Sequence, residues 1–257
     1  MKAMILAAGL GARLRPVTNT LPKALINVGG VPMLERVINH LKTAGVKEIV
    51  INTHHLAPKI MDFLIANGNF GLRIEISHEE KILDTGGALK KAAPFFGDGK
   101  PFFLYNADIL TDFDLKFFQL WHLREKPLAS LAVMNRKSAR KFHFDGKKVL
   151  SGWENKKTGE LVLCRFSAGP AAASPACPAT GGLPEGGVGA KLAFCGVHLL
   201  SPEIFDHFPA KEVFSMTEFY LELAAKGLKI SGFSIDGALW HDIGDPEKLK
   251  KARESME

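Results

Sequence analysis

Residues 4–25 read MILAAGLGARLRPVTNTLPKAL, and this stretch decides the fold. It begins as a short apolar run, Met4 to Ala8, of the kind that forms a buried strand. The run breaks into Gly9-Leu10-Gly11-Ala12-Arg13. Closely spaced glycines let the backbone take positive φ and approach a ligand, and successive N–H groups in such a turn converge on one anion. Arg13 and Arg15 follow at once, and Lys23 comes later, behind Pro22, which fixes the backbone before it. A strand, a glycine turn and spaced cations read as a phosphate-binding apparatus. The plainer alternative is a tight turn carrying solvated arginines. The commoner glycine motifs do not fit. No Lys-Ser or Lys-Thr follows Gly11 as a Walker loop requires, and Arg13-Leu14 stands where a dinucleotide fingerprint needs its third glycine.

Outward from that stretch, strand and helix patterns alternate. Apolar residues at 33, 34, 37, 38 and 41 have helical spacing, with Pro32 suited to the first turn and Gly45 to the stop. Strands are expected at 48–52, 72–77, 101–106 and 128–134, and helices at 56–66, 87–96 (bent or ended by Pro94) and 114–125. Such alternation predicts an α/β fold, a Rossmann-like three-layer α/β/α sandwich with a mostly parallel central sheet. Ligands of such sheets bind outside the carboxyl ends of the strands. The glycine loop after the first strand and Asp108 after the fourth both fall at that edge. Further on, 142–150 reads as a short hairpin around Asp145-Gly146, 191–200 and 228–235 as strands, and 216–226 as a helix closed by Gly227. Ser201-Pro202 begins another helix, 239–243 is a short strand or turn, and Asp245 caps a terminal helix that Pro246 opens. Residues 166–189, rich in Ala, Gly and Pro, have no periodicity and read as a flexible loop. One domain is expected over 1–257, with a more regular half at 1–135 and a less regular half at 136–257.

Composition is that of an ordinary globular chain of 257 residues, 46% hydrophobic and 23% charged. A net charge of +6 suits a basic surface and attraction for anionic small molecules. There is no Lys/Arg-dense stretch that would argue for nucleic acid. The three cysteines, Cys164, Cys177 and Cys195, form no C-x-x-C pair, so neither a disulfide framework nor a zinc site is indicated. The first apolar run is too short for a signal peptide, and no stretch approaches a transmembrane span. The expected setting is cytoplasmic.

Leu6-Ala-Ala-Gly-Leu-Gly-Ala-Arg-Leu-Arg-Pro16, then Thr18 and Leu21-Pro-Lys-Ala-Leu25, closely resembles the signature of the sugar-1-phosphate nucleotidyltransferases, L-A-A-G-x-G-x-R-L-x-P-x-T…P-K-x-L. The resemblance implies the reaction NTP + sugar 1-phosphate → NDP-sugar + pyrophosphate, with Mg²⁺ as cofactor and a monomer or homodimer as the working form. Leu6, Ala7, Ala8, Gly9, Gly11 and Arg13 would hold the nucleotide, and Lys23 would bridge its phosphates. Asn106-Ala-Asp108 matches the place where relatives carry N-x-D, whose aspartate holds the metal; taken alone, Asp108 would read as a cap or structural ion pair. Trp240-His-Asp242-Ile-Gly-Asp-Pro-Glu resembles W-x-D-[IVT]-G-x-P-E, whose aspartate holds the same ion. The catalytic set is thus Arg13, Lys23, Asp108 and Asp242. Leu83-Asp-Thr85-Gly86-Gly-Ala-Leu89 resembles the segment that lies against the base. Upstream of it, Glu79 could accept a hydrogen bond from uracil N3–H or guanine N1–H alike. Gly152-Trp-Glu154 matches loosely the sugar-binding E-K pair, but Asn155 replaces the lysine, leaving Lys156 or Lys157 to supply the cation. Phe194-Cys-Gly196 matches a segment whose glycine lies under the sugar, although a strand glycine making a bulge is the other reading. His54 and His55 are left to surface or packing. Compact length and the D-T-G-G segment look most like the N-acetylmuramate 1-phosphate uridylyltransferases, and are similar also to short mannose-1-phosphate guanylyltransferases. A non-catalytic nucleotide-sugar sensor would usually have lost these carboxylates or cations.

Overall fold

The computed structural model describes residues 1–164 and 189–256. The loop expected at 166–189 lies, apart from Gly189, outside the described residues. The first half runs β1 (Lys2–Leu6), a short hairpin of β2 (Asn27–Val28) and β3 (Val31–Pro32), α1 (Met33–Thr43), β4 (Glu48–Thr53), α2 (Ala57–Ala66), β5 (Arg73–His78), α3 (Asp84–Lys91), β6 (Phe102–Asn106), β7 (Ile109–Thr111), α4 (Leu115–Glu125) and β8 (Ala129–Met134). The second half runs β9 (Arg140–Phe144), β10 (Leu150–Asn155), β11 (Glu160–Leu163), β12 (Ala190–Leu200), α5 (Met216–Ala225), β13 (Ile230–Ser234), β14 (Trp240–Asp242) and α6 (Pro246–Glu254).

Among the described residues, ten strands form one sheet, with β1 flanked by β4 and β6 in parallel and β5 outside β4. Helices cover both faces. Ala3 and Ile5 of β1 join the core beneath α1, α2 and α4, while Met4 joins the opposite core beneath α3 and α5. A strand buried on both faces reads as a continuous apolar run, which is why residues 4–8 carry no alternation. Past β6 the sheet continues antiparallel through β12, with β9, β10 and β11 beyond it, while β8 pairs with β12 and is followed by β13. Two expected elements change form. The helix expected at 87–96 starts at Asp84 and ends at Lys91, and Pro94 sits in a separate 3-10 turn, Ala93–Phe96, because its ring cannot continue the α-helix. The helix begun at Pro202 is a single 3-10 stretch, Pro202–His207. No helix among the described residues is long and apolar enough to cross a membrane.

Candidate active site

The carboxyl ends of β1 and β6 open onto one cleft. Leu6, Ala7, Ala8 and Gly9 leave β1 along one wall, and Asn106 to Asp108 leave β6 along the next. These ends are adjacent because the two strands pair in register from Ala3 to Leu6, and the Ala107 N–H then donates to the Leu6 carbonyl at 3.0 Å. Gly11 takes φ +63°, and a Cβ there would fall 2.8 Å from Thr18 Cγ2, so the turn requires glycine for shape as well as torsion. The Thr18 hydroxyl donates to the Gly11 carbonyl at 2.9 Å and closes the loop. Lys23 then enters the cleft and its ammonium donates to Asp108 Oδ2.

Asp242 reaches the same region through a separate two-stranded ladder. β14 pairs antiparallel with β7, Asp242 lies opposite Ile109, and the Ile243 N–H donates to the Asp108 carbonyl. Both oxygens of Asp242 accept from Lys248 Nζ, at 2.9 and 2.8 Å, and the Gly244 N–H donates to Oδ1 at 3.0 Å. Arg13 is well exposed. Its guanidinium lies over Gly244, where a Cβ would fall 3.1 Å from Nη2, and Nη1 stands 4.0 Å from Asp245 Oδ2. The glycine loop and the start of α6 therefore share one cluster of charges.

On the wall formed by the 79–85 segment, Thr85 and Glu79 line the cleft. Glu79 is buried, and both of its oxygens are held by the protein: Asn52 Nδ2 donates to one at 2.8 Å and the Leu83 N–H to the other at 3.0 Å. Asn52 Oδ1 accepts the Ala7 N–H at 2.7 Å, so a relay ties the β1 end to the Glu79 loop. Gly86 packs away from the cleft. Its N–H donates to the Phe214 carbonyl, and a Cβ would sit 2.3 Å from the Phe214 ring, so contact with this segment accounts for the glycine.

Gly196 stands at φ +78° beside Asn106, with a hypothetical Cβ 3.1 Å from Asn106 Nδ2. Asn106 Oδ1 is buried without a hydrogen-bond partner among the described residues. Gly152, Glu154 and Lys156 are not brought into the cleft wall. Glu154 instead accepts from Lys191 Nζ at 2.7 Å and from His143 Nε2 at 3.2 Å, with Lys156 at 3.9 Å. The hydrogen bond from Lys191 holds the Glu154 carboxyl below the usual carboxylate range.

A family model described as nucleotidyl transferase matches residues 2–257. The chain belongs to this family. It is 34% identical over 256 residues to the N-acetylmuramate alpha-1-phosphate uridylyltransferase of Neisseria meningitidis serogroup B, covering 98% of this chain and 97% of the relative. It is also 34% identical over 254 residues to a mannose-1-phosphate guanyltransferase of Gibberella zeae, covering 96% of this chain but 62% of that longer protein. The crystal structure of HddC from Yersinia pseudotuberculosis superposes over 100% of this chain and 99% of its own, with a TM-score of 0.74 at 24% identity, a likeness of fold.

Four residues of this nucleotidyltransferase went unread in the sequence. Asn52 ends β4 on the same sheet edge as the glycine loop, and the rule of carboxyl strand ends could have found it. Lys248 stands six residues beyond Asp242, a spacing that matches no helical or strand pairing. His143 and Lys191 meet Glu154 only because β9 lies between β10 and β12.

Proposed function

We propose that the protein transfers the uridylyl group of UTP to N-acetylmuramate 1-phosphate and releases pyrophosphate. One observation carries the reading: Gly9 of the glycine loop, Lys23 and Asp108 line a single cleft at the carboxyl edge of the sheet, with Asp242 held on β14 opposite Ile109, the residue after Asp108. That set suits in-line displacement at an α-phosphate. The sugar phosphate is mostly a dianion near neutral pH and is a nucleophile without a catalytic base. Loop N–H groups and Arg13 would hold the departing pyrophosphate, and Lys23 would stabilise charge in the transition state. The unpartnered Asn106 Oδ1 is an acceptor available to a ligand hydroxyl.

The donor set fits a divalent cation. Each carboxylate already carries a cation from the chain itself, Lys23 on Asp108 and Lys248 on Asp242. Among the described residues no group of three or more His, Cys, Asp or Glu side chains could hold a metal. Two carboxylates completed by water and phosphate are what Mg²⁺ takes. Asp108 and Asp242 would hold Mg²⁺, which would act as a Lewis acid on the phosphates. Uridylyl transfer to N-acetylmuramate 1-phosphate is favoured over guanylyl transfer because the likeness to the uridylyltransferase spans nearly the full length of both chains. The test is pyrophosphate release across UTP and GTP, each with N-acetylmuramate 1-phosphate and mannose 1-phosphate. Turnover with GTP and mannose 1-phosphate alone would overturn the substrate assignment.

A further inference from the structure

We propose that Lys248 is an internal counter-cation that occupies Asp242 in the free protein and must be displaced before a divalent metal can bind there. The inference rests on the metal reading of Asp242 given above and adds a residue that this reading does not contain.

The pairing is built rather than incidental. Asp242 ends β14 with a largely buried side chain, whereas the Lys248 side chain is 46% exposed and free to leave. Its ammonium takes both carboxylate oxygens, so it fills the position a cation would use. The Lys248 backbone is anchored in the first turn of α6, its N–H donating to Asp245 Oδ1 at 3.0 Å, so the side chain always starts from one place. The chain can bring residues six apart together because it turns sharply at Gly244, whose N–H also holds Asp242 Oδ1. With Lys248 on both oxygens, neither is left open to a divalent ion, and the two cations would repel at that distance.

A displaced Lys248 has a second partner within reach. Asp245 Oδ2 lies 3.8 Å from its Nζ. Arg13 stands 4.0 Å from the same Asp245 oxygen. Metal arriving at Asp242 thus moves Lys248 toward Asp245 and loosens the hold of Asp245 on Arg13, the phosphate-loop cation. Occupation of Asp242 and release of Arg13 are coupled through one lysine.

The test measures Mn²⁺ binding by the loss of its free-ion electron paramagnetic resonance signal, without nucleotide. Lys248→Met should bind Mn²⁺ roughly two- to fivefold more tightly than the wild type, the scale set by one partly exposed ion pair. Lys248→Arg, which keeps the charge, should stay at the wild-type value. Adding Asp242→Asn to Lys248→Met should erase the gain. A Lys248→Met protein that binds Mn²⁺ no more tightly than the wild type overturns the proposal, as does a gain that survives Asp242→Asn. A parallel titration with a non-hydrolysable UTP analogue separates the two readings. If Asp108→Asn and Asp242→Asn leave nucleotide-dependent Mn²⁺ binding unchanged, the metal reading itself fails. If they abolish it while Lys248→Met shows no gain, only the Lys248 proposal fails.

Discussion

The backbone N–H of Ile243 donates to the carbonyl oxygen of Asp108 at 3.1 Å, and this bond ties together the two backbone segments that carry Asp108 and Asp242, from distant parts of the chain. If Asp108 and Asp242 serve one ion, removing either disables the same device. Asp108→Asn and Asp242→Asn should each abolish most turnover, and the double variant should be little worse than the poorer single. A double-mutant cycle on kcat/KM, with Mg²⁺ titrated, measures this. Losses that multiply independently would separate the two residues.

Lys23 is the best-defined cation of the cleft, because its ammonium is pinned to Asp108 and its side chain is 15% exposed. In the proposed reaction its charge would act on the negative charge that shifts toward the leaving pyrophosphate in the transition state. Lys23→Ala should lower kcat by about 10²–10³-fold, the usual cost of removing one such donor, with a smaller change in KM for the nucleotide. Steady-state kinetics at saturating Mg²⁺ checks the split. A large KM effect with kcat preserved would recast Lys23 as a binding residue only.

The main strands and helices of the parallel half were legible because they announce themselves by local period, and the glycine loop with its spaced cations suggested a phosphate-binding turn. The antiparallel half was less so. Strand β12 pairs with β6, β8 and β9, all remote in sequence, and no local pattern encodes those partners. The same limit applies within the site. Lys23 and Asp108 could be placed on one sheet edge from the strand rule, but Lys248 facing Asp242 depends on a turn at Gly244. For Gly86, the resemblance implies a segment lying against a base, and the structure adds a crowding by Phe214, far along the chain, that no local pattern shows.

Glu79 gives a prediction about the base pocket. Its carboxylate accepts from Asn52 Nδ2 and from the Leu83 N–H. Glutamine has one acceptor oxygen, so Glu79→Gln must set an N–H₂ group against one of these donors. A buried unsatisfied donor costs about 1–3 kcal/mol. KM for the nucleotide should rise by roughly tenfold, with KM for the sugar phosphate changed far less. Equal effects on both substrates would mean the relay supports the whole cleft rather than its base side.

Gly196 tests the junction of β12 with the cleft. At φ +78° an alanine pays for left-handed backbone, and its Cβ would lie 2.5 Å from Ile109 Cγ1. Gly196→Ala should destabilise the fold by about 1–3 kcal/mol and lower activity beyond the loss of folded protein, because Ile109 and Asn106 must move. Denaturant unfolding gives the first quantity, and kcat/KM per folded molecule the second. Unchanged stability would mean that β12 shifts freely at this point.

Two buried histidines should make the fold sensitive to acid. His122 Nε2 lies 3.1 Å from Ser201 Oγ, whose own proton goes to the Pro127 carbonyl at 2.8 Å, so Nε2 carries the hydrogen. Nδ1 then accepts from the Ser130 hydroxyl at 2.7 Å, and the ring is neutral. Burial pushes His122 down to about 4, and His198, whose Nδ1 lies 2.7 Å from the Tyr220 hydroxyl, down to about 3. In the unfolded chain both titrate near 6.5. The unfolded state therefore binds more protons than the folded one between these values, and stability must fall as pH drops through that window. The contribution is fully present above about 6.5 and largely gone near 4. Each histidine should take roughly 2 kcal/mol of stability between pH 7.5 and pH 5. Urea unfolding at those two pH values measures the total. His122→Gln and His198→Gln should each lose stability at pH 7.5 yet flatten the profile by one proton. Variant profiles that run parallel to the wild type would show that other groups govern the acid transition.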